Sequence, residues 1–415
     1  MSEDGARGRG SRSDKAVALV VLVAALGYFV DIYDLILFGI VGKKSLKDLG
    51  VAAADVDRLQ GHILDYQMLG MLAGGILWGI LGDKRGRLSV LFGSIVMYSI
   101  ANVANAQITS VEYYPWLRFI AGVGLAGELG AGITLVSEVM SRRGRGWGTT
   151  IVAGVGVTGA IAAALVDRYA TWRIAYWIGG LGGIALLLLR VGVRESGMFE
   201  SVKAATGVAR GNVLALFSSF DRIKRYLAVI LIGTPIWYVI GILVVRASAI
   251  AKDLGIQGEI NAGTAVMLCY IGLAVGDVAS GVLSQILKSR KYAVGTFLVL
   301  TAVSVVYYFV FGKGSVTAVY AACFVLGIGG GYWAMFVTMA SEQFGTNLRS
   351  TVTTTAPNFV RGSLVLSNFG FTALQASLGV WKSAAAVGVI SISTAFGALL
   401  LLRETYDKDL DYVEE

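Results

Sequence analysis

Apolar stretches of about 20 residues, the length at which a helix spans a bilayer, recur along this chain of 415 residues. Charged residues make up only 15% of the sequence, compared with roughly 25% in soluble domains. The pattern predicts an all-α polytopic membrane protein with twelve transmembrane helices and no room for a soluble domain. The predicted helices centre near residues 29, 70, 97, 126, 156, 181, 237, 272, 301, 329, 364 and 392.

The basic residues indicate the orientation of the chain and its partners. If the N-terminus is cytoplasmic, most of the 35 Lys and Arg residues fall on cytoplasmic segments, as the positive-inside rule requires. This distribution explains the net charge of +8 without a nucleic-acid partner, and it places both termini in the cytoplasm. The expected location is therefore a lipid bilayer, the cytoplasmic (inner) membrane if the chain is bacterial.

The residues that carry most enzyme chemistry are scarce. Cys269 and Cys323 both lie in apolar helices, and His62 is the single histidine. We therefore expect no disulfide framework, no metal site and no cofactor. The sequence also carries no phosphate-binding loop or other enzyme signature, so it predicts a protein that is not an enzyme.

A charged segment occurs twice. Glu138 and Arg145 follow the predicted fourth helix, and Glu342 and Arg349 follow the tenth, 204 residues later. Residues 79–89 also align with residues 281–291, and Arg-Glu-Ser at 194–196 matches Arg-Glu-Thr at 403–405. The repeat predicts two pseudo-symmetric six-helix bundles around a midplane site, the arrangement that many transporters use for alternating access.

The predicted domains follow from this repeat. They are a flexible cytoplasmic N-terminus at 1–15, an N-terminal bundle at 16–193, a cytoplasmic linker at 194–223, a C-terminal bundle at 224–403 and a cytoplasmic tail at 404–415.

The sequence resembles the major facilitator superfamily along nearly its whole length. Gly79, Asp83, Lys84, Gly86 and Arg87 match the G-x-x-x-D-[RK]-x-G-R signature that follows helix two of that superfamily. In helix four, the residues Arg118, Gly122, Gly124 and Gly127 resemble the helix-four motif of the superfamily. The two Glu-x6-Arg segments resemble those of its sugar-porter and metabolite:proton symporter branches. "DIYD" at 31–34 resembles the E-W-Y-D of the metabolite:proton symporters.

Two departures concern the subfamily. Arg194 and Arg403 replace the prolines of the Pro-Glu-Ser and Pro-Glu-Thr motifs, and Gln285 replaces the aspartate in the second copy of the loop signature. The resemblance implies the major facilitator fold, and we expect a monomer.

The resemblance also implies that the charged segments form a gating latch. Its first-half members would be Asp83, Arg87, Glu138 and Arg145, with Glu342 and Arg349 as the counterpart in the second half. The alternative is that these basic loops only fix the orientation of the chain in the membrane.

Ionisable residues inside membrane spans are costly and usually functional. Asp31 and Asp34 share one face of helix one, and Arg118 on helix four lies at a depth similar to that of Asp34. Asp31, Asp34 and Arg118 are therefore candidates for proton coupling. The resemblance implies that an Asp34–Arg118 pair would handle protons as in the sugar-porter branch, and the alternative is a static salt bridge. Glu128, which has no obvious partner in the sequence, is a second candidate proton site or a structural hydrogen-bonding group.

The second half offers candidate substrate-binding residues at a common depth. An aromatic pocket with an amide and an arginine suits a small organic molecule, and Arg361 favours an organic anion such as a carboxylate. The alternative for Arg361 is a pairing with Asp277 or another buried acid. The candidates are Trp237, Tyr238, Tyr270, Asp277, Tyr332, Trp333, Asn358 and Arg361.

The sequence thus predicts a secondary active transporter that couples protons to the import of a small polar metabolite, with an organic anion favoured. A proton-driven exporter of small organic compounds and an uncoupled facilitator are the alternatives. Export is disfavoured because "VAGVGVTGAIAAAL" of helix five lacks the proline of the drug-antiporter signature.

Overall fold

The computed structural model describes residues 3–140, 145–190, 216–311 and 314–408. All regular structure in these ranges is helical. The helices of the first half are α1 (Glu3–Asp48), α2 (Val56–Arg85), α3 (Arg87–Asn105), α4 (Tyr114–Leu125), α5 (Glu128–Val139), α6 (Arg145–Tyr169) and α7 (Trp172–Leu189). Those of the second half are α8 (Phe220–Tyr238), α9 (Ala247–Asp253), α10 (Ala262–Leu287), α11 (Arg290–Phe311), α12 (Val316–Gly330), α13 (Trp333–Glu342), α14 (Thr346–Leu378) and α15 (Val380–Leu401).

Among the described residues, eleven helical segments are long and apolar enough to cross a membrane. The remaining predicted span corresponds to α14, which has 33 residues but is not one of these eleven. Its run of threonines, together with Asn358 and Arg361, makes it more polar than the other long helices. The polar composition of α14 matches its position, because it packs along α2 at the contact between the two halves.

The residues at which α1 and α8 begin differ from the predicted domain boundaries. Helix α1 begins at Glu3, so it includes part of the segment 1–15 that we predicted to be flexible. Most of the predicted linker at 194–223 lies outside the described residues, and α8 begins at Phe220 within it. The division into domains therefore stays a prediction.

The same close helix contact occurs once in each half. A Cβ on Gly70 of α2 would overlap the carbonyl oxygen of Phe119 on α4, and one on Gly272 of α10 would overlap that of Phe324 on α12. Gly70 and Gly272 are 202 residues apart, which is the offset of the aligned loops. Glycine lets the two backbones touch at both places, as small residues do in lipid-embedded helix pairs.

A second shared feature is a break in the corresponding spans. Helices α4 and α5 are separated by Ala126 and Gly127, and α12 and α13 by Gly331 and Tyr332. Discontinuous spans at matching places in two repeats are typical of transporter binding sites, because backbone groups there are free to face a cavity.

The halves contact each other along the length of α2 and α14. We call the end of the bundle that carries Lys44 and Asp167 the Lys44 end, and the opposite end the Glu342 end. Near the Lys44 end, the Asn368 amide donates to Asp65 at 2.8 Å. Midway, the Asn358 amide donates to the carbonyl oxygen of Ala126 at 2.8 Å, which joins the halves at the break in the α4–α5 span.

Candidate substrate and proton site

A narrow cavity lies between the two halves, beside the broken α12–α13 span of the second half. The centre of a water molecule can occupy a volume of about 20 Å³ in this cavity, so the cavity has room for roughly one water. Four of the predicted substrate residues line it: Trp237, Tyr270, Trp333 and Arg361. The other lining residues are Tyr28, Ile32, Val157, Ile236, Ile240 and Leu273. The walls are therefore aromatic and aliphatic, with one permanent charge.

Arg361 is that charge, and α14 holds it in a fully buried position. Its guanidinium lies 5.5 Å from the centre of the Trp333 ring, and its Nη1 donates to Asn358 at 3.3 Å. Its nearest acid is Asp31 of the first half, with Nη2 and Oδ2 separated by 3.5 Å. Neither Nε nor Nη2 has a hydrogen-bond partner among the described residues. The edge of the guanidinium that binds carboxylates therefore has no hydrogen bond and faces only the long ion-pair contact with Asp31.

Asp34 and Arg118 meet in the first half. Both are fully buried, and both Nη1 and Nη2 of Arg118 lie 3.3 Å from Oδ1 of Asp34. Arg118 also donates to the side-chain oxygens of Gln67 and Asn102, and its guanidinium lies 5.4 Å from the centre of the Tyr176 ring. Oδ2 of Asp34 has no hydrogen-bond partner in the described part of the chain. Several hydrogen bonds therefore hold the Arg118 side chain in place, while one carboxylate oxygen of Asp34 is able to take a proton.

Glu128, for which the sequence offered no partner, pairs with Arg190. Arg190 lies at the end of α7, is buried, and donates through both terminal nitrogens to the Glu128 carboxylate. Gly27 of α1 passes so close that a Cβ there would overlap both side chains. Glu128 is thus held by a permanent cation inside the first half, which fits a structural role at least as well as a proton site.

Several predicted substrate residues lie away from the cavity surface. Tyr238 donates to the carbonyl oxygen of Ala384, and Tyr332 donates to that of Ile232, so their hydroxyl groups tie helices together. Asp277 accepts a hydrogen bond of 3.0 Å from the backbone NH of Ala334. It thereby caps the first turn of α13, which carries Trp333. Its contact is with a helix end and not with the Arg361 side chain.

The predicted second-half latch has a different basic partner. Glu342 accepts two hydrogen bonds of 3.2 Å from Arg290 and one of 2.8 Å from the Thr405 hydroxyl. Arg349 donates to the backbone oxygen atoms of Ser341 and Phe344. Glu342 therefore connects α13 to the start of α11 and to the segment after α15. The side chains of the first-half candidates Asp83, Arg87, Glu138 and Arg145 lie outside the described residues.

Glu404 completes this cluster at the Glu342 end. Burial alone would raise its pKa, but hydrogen bonds from the Ser289 hydroxyl and from the backbone NH groups of Arg290, Tyr406 and Thr405 outweigh burial and lower the pKa of Glu404 to about 2. The carboxylate is therefore ionised at neutral pH and holds the segment after α15 against the first turn of α11, where a negative charge is favourable.

Three functional candidates were missed by sequence reasoning. Arg190 follows four leucines and looked like the cytoplasmic end of helix six. The signal that could have identified it is its position at the end of an apolar run, since ionisable residues near a membrane span are often functional. Tyr28 lies three residues before Asp31 and so on the same helix face, which was a usable signal. Arg290 aligns with no acidic or basic member of the first-half loop motif, so the repeat gave no indication of it.

Comparison with known proteins adds a family and a fold. The family model of the Major Facilitator Superfamily matches residues 24–367. A putative metabolite transport protein of Haemophilus influenzae is 26% identical over 414 residues, covering 94% of this chain and 96% of the relative. A gentisate transporter of Corynebacterium glutamicum is 24% identical over 412 residues, covering 93% and 88%.

Among solved structures, the proton:xylose symporter XylE bound to 6-bromo-6-deoxy-D-glucose superposes with a TM-score of 0.73. The match covers 96% of this chain and 98% of that chain at 17% sequence identity. At this identity the match establishes a common fold, and the chemistry of the site has to be argued from the residues of this chain.

Proposed function

This chain belongs to the Major Facilitator Superfamily, and from that premise we propose that it is a proton-coupled symporter of a small aromatic carboxylate. The site would be exposed to the two sides of the membrane in turn, as the two halves rock about the cavity between them.

One observation carries the choice of substrate. Arg361 presents Nε and Nη2 without hydrogen-bond partners among the described residues, at the wall of a cavity that Trp237, Tyr270 and Trp333 also line. A buried guanidinium edge matches the two oxygens of a carboxylate, and aromatic side chains favour a flat ring. The name of the gentisate transporter from Corynebacterium glutamicum agrees with such a ligand, since gentisate is a dihydroxybenzoate.

The proton part of the proposal depends on the acids of α1. Asp31 and Asp34 are both buried, and each faces an arginine, Arg361 and Arg118 respectively. An ionised carboxylate in a membrane span is stable only while a cation faces it. A movement that separates such a pair therefore drives proton binding, which couples the proton gradient to the movement.

The cavity has to widen before it holds a substrate, because its present volume admits roughly one water and a benzoate-sized molecule is several times larger. Since the halves touch on both sides of the cavity, this widening would come from a relative movement of α2 and α14.

The test is uptake into proteoliposomes of labelled gentisate, nicotinate and xylose, with and without an inward proton gradient. We expect the wild type to accumulate an aromatic carboxylate, and not xylose, when the gradient is present. Arg361→Ala should lower carboxylate uptake roughly 10- to 100-fold, because charged hydrogen bonds are worth about 1.5–3 kcal/mol. Asp34→Asn should abolish accumulation but keep exchange of labelled for unlabelled substrate.

The matched control is Asp48→Asn, which makes the same chemical change at the Lys44 end of α1, where Asp48 accepts from the Trp172 indole. It should transport like the wild type. Uptake without any gradient dependence would point to a facilitator, and accumulation driven by an outward gradient would point to an exporter. Carboxylate uptake that survives Arg361→Ala would remove the case for an anionic substrate.

A further inference from the structure

The ion pair between Asp31 and Arg361 has a feature that the other buried pairs lack. Of the three buried acid–arginine pairs in the described part of the chain, Asp34–Arg118 and Glu128–Arg190 lie within the first half. Asp31–Arg361 joins the halves, and its arginine is the one that lines the cavity. Any movement that opens the cavity between the halves acts on this pair directly.

We propose that Asp31 and the substrate carboxylate compete for Arg361, and that Asp31, once displaced, takes up a proton as the substrate binds. This inference rests on the proposed function and adds the atom at which one transported proton is held and the event that loads it.

The contact that Asp31 makes is loose. The closest approach of its carboxylate to Arg361 is 3.5 Å, and both Oδ1 and Oδ2 lack hydrogen-bond partners among the described residues. Once the cavity has widened, a carboxylate on a small ligand can approach the guanidinium edge and make two hydrogen bonds there, as arginine forks favour. Exchange of Asp31 for a ligand therefore replaces a long ion-pair contact of 3.5 Å with two shorter hydrogen bonds.

The charges require the proton. Before the ligand binds, the charges of ionised Asp31 and of Arg361 sum to zero. When an anionic ligand takes Arg361, an ionised Asp31 would remain as an uncompensated buried charge, which is strongly unfavourable. One proton from the aqueous phase binds a carboxylate oxygen of Asp31, and the site then holds a neutral acid and a neutral arginine–carboxylate pair. Neither the anion alone nor the proton alone gives a neutral site.

The surroundings of Asp31 support this assignment. The other nearby acids, Asp34 and Glu128, are each paired with an arginine that does not line the cavity. No second basic side chain contacts Asp31 among the described residues. The titratable and charged groups that act on Asp31 are Arg361 of α14, Glu128 of α5, Tyr98 of α3, Tyr270 of α10, and Asp34 and Tyr28 of α1 itself.

The experiment counts protons on binding. Purified full-length protein in detergent, in weakly buffered solution with a pH indicator, is titrated with gentisate between pH 6 and pH 8.5, and binding is followed by tryptophan fluorescence. For the wild type we expect about one proton taken up per gentisate bound and a Kd that rises roughly tenfold per pH unit at the alkaline end. For Asp31→Asn we expect one proton fewer and a Kd that no longer depends on pH through this group.

Asp48→Asn is the matched control, since it makes the same change on the same helix but outside the buried site, where Asp48 accepts from the Trp172 indole. It should keep the proton taken up at Asp31. Equal proton uptake by Asp31→Asn and the wild type would overturn the proposal, as would gentisate binding to the wild type without any proton uptake, which needs no variant to fold. Asp31→Glu, which keeps the acid, should restore uptake of the proton.

The experiments distinguish failure of this inference from failure of the proposed function. If the wild type binds none of gentisate, nicotinate and benzoate, both are overturned. If proton-driven gentisate transport is found but Asp31→Asn takes up as many protons per gentisate as the wild type, only the proposed exchange at Arg361 is overturned, and the proposed function stands.

Discussion

Removal of Asp31 is expected to destabilise the protein more than removal of its partner. The pair is buried, with 3.5 Å between Nη2 of Arg361 and Oδ2 of Asp31. At an effective dielectric constant of 20, Coulomb's law gives an attraction of about 5 kcal/mol at this distance. Asp31→Asn leaves a buried guanidinium that cannot lose its proton, so we expect a loss of roughly 3–5 kcal/mol in the free energy of unfolding.

Arg361→Gln leaves a buried carboxyl group instead, and this group can become neutral by binding a proton. The loss should therefore be smaller than for Asp31→Asn, and it should grow as the pH rises, because neutralisation becomes less favourable. The double variant leaves no buried charge at this place and should recover a large part of the stability that Asp31→Asn loses.

The assay is denaturation of the four proteins in one detergent at pH 6 and pH 8, followed by helical circular dichroism. The matched control is Asp55→Asn, since Asp55 and Arg58 lie closer together, at 2.9 Å, but both are exposed to solvent. This change should cost less than about 1 kcal/mol. The reasoning would be refuted if Asp31→Asn cost no more than Asp55→Asn, or if the double variant were no more stable than Asp31→Asn.

Three further predictions concern helix contacts outside the ion pair. Gly272→Ala should destabilise the protein by about 1–3 kcal/mol or more in thermal melts, because its Cβ would overlap the Phe324 carbonyl oxygen, whereas Gly182→Ala, with open space around it, should not. Asp277→Ala should weaken gentisate binding and cost about 1 kcal/mol of stability, because the first turn of α13 loses its cap, and Asp277→Asn should be milder in the same titration. The stabilisation that Glu404 contributes should be complete above pH 4.5 and disappear as the pH falls toward 2. The difference in melting temperature between the wild type and Glu404→Gln should therefore be constant from pH 5 to pH 8 and shrink in acid.

The sequence was sufficient for the features that depend on composition and local spacing. Apolar lengths and the repeated loops predicted the membrane spans and two related halves, and the major facilitator fold follows from the family match and the superposition on XylE. The meeting of Asp34 and Arg118 could also be anticipated, because two buried charges at equal depth on neighbouring helices have few other solutions.

The remaining pairings could not be predicted, because they depend on how each helix is rotated about its axis. Arg361 faced several possible acids, and α14 turns it toward Asp31 and away from Asp277, which is engaged at the start of α13. Glu128 likewise finds Arg190 through the close approach of α1 at Gly27. Differences of tens of degrees in rotation would have produced other pairs from the same sequence pattern.

The buried charges also explain why the two halves of the repeat are unlike at their centres. Both halves keep the glycine contact and the broken span, which are requirements of packing. The charges do not repeat, since the first half contributes the acids of α1 and the second half contributes Arg361. A symmetric pair of acids or of arginines would repel across the cavity, whereas an acid facing an arginine is stable when the site is empty and, in the function we propose, would exchange its partner when an anion binds. Under the proposed function, the asymmetry at the centre is what would permit a symmetric scaffold to distinguish an empty site from a loaded one.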